Sequence, residues 1–465
     1  MTINILPDNA LLEIFHLYKD ADLLIRSNIT WRWKTLTQVC RRWRYIVFGS
    51  PRRLDLQLLC TSTTPTTRLL DIWPPFPIIV YQPFSFPLAD KNGLENLIAA
   101  LESRDRISKI QIVDICGPVL ERLATVLHEP FPLLTTFLLF STDVSIPVLS
   151  ETFLGGFAPH LRSFVLRGVP FPSFPKLTLC FPHIFFLRLE EIPSSGYISP
   201  EVMATSLAAL PHLRVLSVGF RSPPSPPLQI SPPHLTCAAL PSLSDLTFSG
   251  VSEYFEDLVA RIDAPRLTWL CITFFMDLIF DIPRLRNFID RTEGLRPFNH
   301  RAALLFSGRA IQVVLGSPTH LELKILCERP DWQLSSMTQI FSQQLPLLSL
   351  VEQLEICEPP SSRGESEWKD DPDMDLSQWL ELFRLFVAAQ SLYVSVRLVS
   401  PVARALQDLS GQMATEVLPA LRNLYLEGLV PSGPVHGTMK SFTTARRLSH
   451  QPVVIQLWDR WKPRF

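Results

Sequence analysis

Through most of the chain the apolar residues recur in one short phase: an apolar position, two variable ones, an apolar position, one variable, an apolar position. The instances are Ile107-Ile110-Ile112, Leu134-Phe137-Leu139, Leu161-Phe164-Leu166, Ile184-Leu187-Leu189, Leu213-Leu216-Val218, Leu243-Leu246-Phe248, Leu267-Leu270-Ile272, Val351-Leu354-Ile356 and Leu421-Leu424-Leu426. Central residues from 110 to 270 stand 27, 27, 23, 29, 30 and 24 residues apart. Alternation of this kind is that of a strand with one buried face. Strand-like runs continue downstream in HLELKIL, VEQLEIC, LYVSVRL, LRNLYLEGL and VVIQLW. A proline signal precedes many of them: PHLR at 159 and 211, PHIF at 182, PSLS at 241, PRLT at 265 and PALR at 419. Between strands the spacing predicts helices, for example over 201–210, 379–389 and 402–409. The stretch 273–320 breaks the period, and AALLFSGRAIQVVL within it predicts a hairpin or two strands at shifted spacing.

A strand and a helical return every 23 to 30 residues is the period of a leucine-rich-repeat solenoid. Each such unit leaves an apolar flank that only its neighbours can cover, which accounts for the many copies. The expected class is therefore α/β, an irregular leucine-rich-repeat horseshoe with parallel strands inside and helices outside. It is irregular because the ninth position, where these repeats carry Asn or Cys, holds Ile115, Thr142, Val169, Ile192, Arg221 and Val251. Segments 74–87, 221–233 and 359–375 read as mobile insertions.

Composition agrees. The chain has 465 residues, 74 of them Leu, and its 42 Pro outnumber its 17 Gly. Many short elements with hard stops fit those counts. A net charge of −1 supplies no field to attract nucleic acid or membrane. The eight cysteines (Cys40, Cys60, Cys116, Cys180, Cys237, Cys271, Cys327 and Cys357) contain no CxxC pair, and reduced, scattered thiols are expected. The opening MTINILPDNALL has no basic segment leading into an apolar one, so a cytoplasmic or nuclear location is expected.

The N-terminal segment follows a different period. In ILPDNALLEIFHLY, Pro7 suits a helix start and Asp8 places a carboxylate in the positive first turn. Leu11, Leu12, Ile14, Phe15 and Tyr18 then line one face. Trp33, Leu36, Val39, Cys40, Trp43, Ile46 and Val47 predict one further amphipathic helix, with Arg41, Arg42 and Arg44 on its wet side. LPDNALLEIF followed by WRWKTLTQVCRRWRYIV and SPRRLDLQL resembles an F-box-like domain of the large families found in mushroom-forming fungi. DWQLSSMTQIF, SQWLELFRLF, TEVLPALRNLYLEGL and FTTARRLSHQPVVIQLW resemble the later segments of those families. The resemblance implies docking to the adaptor subunit of a cullin–RING ubiquitin ligase through Leu6, Pro7, Leu11, Ile14, Phe15, Val39, Cys40 and Trp43. It implies a division into a helical F-box-like module (1–55), a linker with a first strand or cap (56–105) and a solenoid (106–465).

Residues for chemistry are scarce. GxGxxG, Walker A, HExxH and GxSxG motifs are all absent. Asp371, Asp373 and Asp375 begin a calcium-loop pattern that Leu376 and Leu382 break. His160, His183, His212 and His234 recur with the repeat, so no metal, cofactor or enzymatic activity is expected. The expected role is a substrate receptor for ubiquitin-dependent protein degradation, binding an unidentified protein on the outward side of the inner sheet. Arg188, Ser217, Thr247, Lys324, Glu355 and Tyr425 stand there, with Phe186, Trp269 and Arg422 beside them. Of these, Arg188, Trp269, Glu355 and Tyr425 are the chosen contacts. The competing reading is a repeat scaffold without a ubiquitin role, whose helices cap the solenoid by burying Leu6, Pro7 and Trp43 near Leu56 and Leu58.

Overall fold

In the computed structural model the described residues are 5–20, 32–49, 56–73, 75–82, 91–143, 145–150, 152–156, 158–171, 181–222, 237–275, 282–295, 300–316, 320–327, 330–344, 346–359, 376–407, 409, 411–428 and 434–459. Cys180, His234, the acidic run 371–375 and most of 221–233 and 359–375 lie outside them. The chain forms two compact units, Met1–Val215 and Leu216–Phe465. The class is mixed α/β with a mostly parallel sheet.

In the first unit, three helices, α1 (Asp8–Asp20), α2 (Arg32–Val39) and α3 (Arg41–Gly49), precede a run of parallel strands. These are β1 (Leu56–Leu59), β2 (Ile78–Gln82), β3 (Ile107–Ile112), β4 (Thr136–Phe140), β5 (Ser163–Arg167) and β6 (Phe186–Ile192). They lie in chain order, each paired with the next. Helices α4 (Thr66–Ile72), α5 (Lys91–Leu101) and α6 (Gly117–Leu127) return the chain between strands. Strand β2 corrects the expectation of an insertion over 74–87. Ile78, Ile79 and Val80 form a β-branched run, and seated between β1 and β3 they are buried.

In the second unit the sheet order is β7 (Val215–Phe220), β9 (Asp245–Gly250), β11 (Trp269–Phe275), β14 (His320–Leu326), β13 (Ala310–Leu315), β12 (Arg301–Ser307), β15 (Gln353–Cys357), β16 (Ser391–Val394), β17 (Asn423–Glu427) and β18 (Val454–Trp458). The short strands β8 (Ala238–Ala239) and β10 (Ile262–Asp263) pair separately. The break over 273–320 is the predicted hairpin: β13 runs antiparallel to both β12 and β14. Strand β11 meets β14 in parallel, and β12 meets β15 in parallel.

All nine apolar triplets are buried, none of their residues more than 3% exposed. Strand after strand alternates, as in β11 and β14, with every second residue half-buried or exposed. A parallel sheet covered on both faces would be apolar throughout. Here helices cover one face with residues such as Leu94, Leu97, Leu120 and Leu123, and the opposite face is open. Strand β7 departs from this, buried from Leu216 to Phe220, so Ser217 is buried rather than outward-facing as the pattern predicts.

The proline signal has a structural cause. Before seven strands an apolar residue, Pro, a variable residue and the first triplet residue make a turn in which the fourth N–H donates to the first carbonyl. Leu134 to Phe131, Leu161 to Ala158, Ile184 to Phe181, Leu213 to Leu210, Leu243 to Leu240, Leu267 to Ala264 and Leu421 to Leu418 are these bonds, at 3.0–3.3 Å. Proline at the second position is preset for such a turn. The next two N–H groups then share one carbonyl of the preceding rung: Arg162 and Ser163 on Thr135 (2.8 and 3.1 Å), Phe185 and Phe186 on Arg162 (2.9 and 3.1 Å), Arg422 and Asn423 on Gln390 (2.9 and 3.0 Å).

Polar staples stand in for the absent asparagine ladder. Gln82 Oε1 accepts from the Val113 N–H at 2.9 Å, and Asp143 Oδ2 accepts from the Gly117 N–H at 3.0 Å. The buried Glu256 carboxylate accepts from the Arg284 and Leu285 N–H groups at 2.8 and 2.7 Å, satisfying the start of helix Pro283–Arg291. Arg446, fully buried in helix Pro434–Leu448, donates to the carbonyls of Ala414, Leu418, Pro419 and Leu421. Leu418 sits at φ 50°, a left-handed conformation costly for a branched residue. The Arg446 fork therefore holds a strained turn. No helix among the described residues is long and apolar enough to cross a membrane.

Removing that fork takes a donor from four carbonyls, of which Leu418 keeps the Leu421 N–H. Arg446→Ala should cost about 3 kcal/mol or more and lower the melting temperature by roughly 6–12 °C. Arg446→Lys should not restore it, because an ammonium lacks the guanidinium's planar fork. Calorimetry of the two variants checks this.

Candidate functional site

The N-terminal motif separates into a core and an outer surface. Leu11 and Phe15 are buried, and the Trp43 ring packs on Phe15 with centroids 4.6 Å apart. Leu6 is half-buried. The Arg42 guanidinium donates to the Leu6 carbonyl and, at 2.7 and 3.1 Å, to Asp8 Oδ1. Arg42 thus ties the LPD segment to the CRRW segment. Pro7, Ile14 and Val39 remain exposed, Ile14 at 40% and Val39 at 56%. Ile5 at 73% and Tyr45 at 77% join them; the helical spacing did not single these out.

The single helix predicted over 33–47 is two, broken at Cys40. The Cys40 thiol accepts from the Trp43 N–H at 3.4 Å, as an N-cap side chain does. The Arg44 guanidinium donates to the Thr37 carbonyl at 2.9 Å at the same break. So Cys40 is a capping residue, and Arg42 and Arg44 are engaged within the module.

The open sheet face carries the other set. Arg188 in the first unit is exposed, its guanidinium 4.7 Å from the Phe186 ring and 3.9 Å from Glu190. In the second unit, register sets Ala303, Glu355, Tyr393, Tyr425 and Gln456 side by side across five strands. Tyr393 and Tyr425 stack at 4.4 Å, and Trp458 meets Tyr393 edge-on at 5.5 Å. Beside them a groove of about 190 Å³ is lined by Arg301, Ala303, Val314, Gly316, Gln353, Glu355 and Tyr393. Thus Glu355 and Tyr425 belong to one aromatic and charged row, whereas Tyr393 and Arg301 were missed. The interruption of the period over 273–320 hid Arg301, and Tyr393 falls in LYVSVRL, outside the nine triplets.

Trp269, 42% exposed, stands with different neighbours. Its ring stacks on His320 at 3.8 Å, and its Nε1 donates to Cys271 Sγ at 2.9 Å. Cys271 and His320 Nε2 both reach Glu322 Oε2, at 3.6 and 3.0 Å. Burial, then the Glu322 charge, pushes the Cys271 thiol up to about 12, against the opposing Trp269 hydrogen bond. Burial alone pushes Cys60 up to about 12. The seven described cysteines are free thiols.

Thiol reactivity follows from these positions. At pH 8 a thiol with a pKa of about 12 is ionised in about one molecule in ten thousand. Iodoacetamide should label exposed Cys116 and Cys237 long before Cys271 or Cys60, and peptide mapping of a labelling time course reads the order.

No family model matches the chain, and no curated protein matches it. Among solved structures it is similar to the leucine-rich-repeat-containing protein LegL7 from Legionella pneumophila. That match has 14% identity over 71% of this chain and 95% of that one, with a TM-score of 0.25.

Proposed function

We propose that the chain is the substrate-recognition subunit of a cullin–RING ubiquitin ligase, its N-terminal helices docking the adaptor and its open sheet face holding a target protein. The observation that supports this is the division within the F-box-like motif. Leu11, Phe15 and Trp43 build a small core while Ile5, Pro7, Ile14, Val39 and Tyr45 stay in solvent. A helical cap would bury Pro7 against the first strand, and Pro7 is exposed. Exposed apolar residues on so small a module call for a partner surface.

In this reading the chain supplies no reacting group. It raises the effective concentration of a target lysine near the charged conjugating enzyme. The row of Glu355, Tyr393 and Tyr425, with Arg301 at its groove, has the aromatic and charged character of a protein-binding surface. A location in cytosol or nucleus goes with the role. The coarser reading, a repeat scaffold that binds protein without ubiquitin chemistry, needs the open face alone.

Exposed positions make the cleanest test, since changing Leu11 or Phe15 would cost the fold about 2–5 kcal/mol. The full chain should bind purified ligase adaptor in a biosensor assay. Ile14→Asp/Val39→Asp should weaken that binding about 30-fold or more, the loss of an interface hot spot, with an unchanged melting curve. A well-folded wild type that fails to bind the adaptor overturns the ligase reading and leaves the scaffold.

A further inference from the structure

Cys271, His320 and Glu322 each turn one ligand atom to a common point on the open face of the second unit. The three atoms lie within 4.8 Å of one another. The sheet puts them there: Cys271 and Glu322 are direct register partners on β11 and β14, and His320 partners Trp269 two residues earlier. No sequence spacing announces the group, because about fifty residues and a hairpin separate Cys271 from the other two.

The two hydrogen-bonded distances in the group lie near those of a tetrahedral site, and the third is within 4.8 Å. Bonds of zinc to thiolate, imidazole and carboxylate place the ligand atoms about 3.3–3.6 Å from one another. Here Sγ to Oε2 is 3.6 Å and Nε2 to Oε2 is 3.0 Å. The surroundings are those of a built site. Stacking of Trp269 fixes the plane of the His320 ring, and its indole N–H holds the sulfur. Such outer contacts orient ligands in metal centres. His320 and Glu322 side chains are 18% and 25% exposed, so an ion can enter from solvent.

We propose that Cys271, His320 and Glu322 form a binding site for a thiolate- and imidazole-seeking divalent cation of the Zn²⁺ class. Sulfur and imidazole donors exclude magnesium and calcium as its natural occupants. On binding, the Cys271 thiol loses its proton to solvent, and the His320 ring carries its remaining proton on Nδ1 so that Nε2 is free to ligate. Three protein ligands leave a fourth position facing outward, for water or for a donor side chain of a docked protein. The site is independent of the adaptor reading.

The test uses Co²⁺ as probe on the full metal-stripped chain, with Cys116→Ser and Cys237→Ser removing the exposed thiols among the described residues and Cys180→Ser removing the remaining cysteine outside them. One Co²⁺ per chain should bind with a thiolate-to-cobalt charge-transfer band, and added Zn²⁺ should bleach it. Cys271→Ser should abolish the band. His320→Ala and Glu322→Gln should weaken binding by at least about tenfold, and Trp269→Phe by about 10–100-fold while the band persists. Circular dichroism establishes that each variant is folded. A folded chain that shows no band, or a band that survives Cys271→Ser, overturns the proposal.

Discussion

Much of the sheet depends on a shared backbone acceptor at the entry to β5, β6, β7, β11, β15, β16 and β17. One carbonyl of the preceding rung takes two N–H groups of the next, as Thr135 does for Arg162 and Ser163. The proline turn just before it presents those N–H groups in a fixed direction, so register is settled before the strand begins. Once register is settled, the apolar triplet falls on the covered face and the residues between fall on the open one. A slip of one residue would exchange the two sets. Which side chains line the uncovered sheet face is therefore a by-product of turn geometry.

This explains what the sequence makes legible. Triplets and proline signals are local, and local patterns survive translation into structure: all nine triplets are buried where periodicity puts them. What escapes is whatever arises between rungs. The β-branched run of β2 hides among prolines, yet its neighbours make it a strand. Cys40 looks like one more apolar position in VCRRW, and its sulfur instead starts a new helix. Arg446 sits in FTTARRLSH as an ordinary basic residue, although its guanidinium is swallowed by a turn more than twenty residues upstream. The grouping of Cys271 with His320 and Glu322 belongs to the same class, since only the sheet supplies the adjacency.

The two candidate surfaces differ in physical character. On the N-terminal helices the exposed Ile5, Pro7, Ile14, Val39 and Tyr45 stand among exposed Asp8, Asn9, Glu13, Gln38, Arg41 and Arg44, an apolar patch with a charged surround. On the open sheet face, Tyr393 and Tyr425 stand among Glu355, Arg301 and Gln353, a composition suited to discriminating among ligands.

The inserted hairpin carries a consequence for how the second unit is assembled. Elsewhere a strand finds its partner one turn of the array away, so growth can proceed by adding neighbours to a nucleus. At β11 the onward parallel partner is β14, and at β12 it is β15, in each case about fifty residues distant. Strand β12 has no parallel partner until the chain has passed through β13, β14 and a further helix. In this stretch β12, β13 and β14 pair locally as antiparallel neighbours, while the parallel pairings of β11 with β14 and of β12 with β15 close two overlapping loops of about fifty residues each. A chain that has not yet reached β15 therefore leaves one edge of β12 bare, a template for pairing with another molecule.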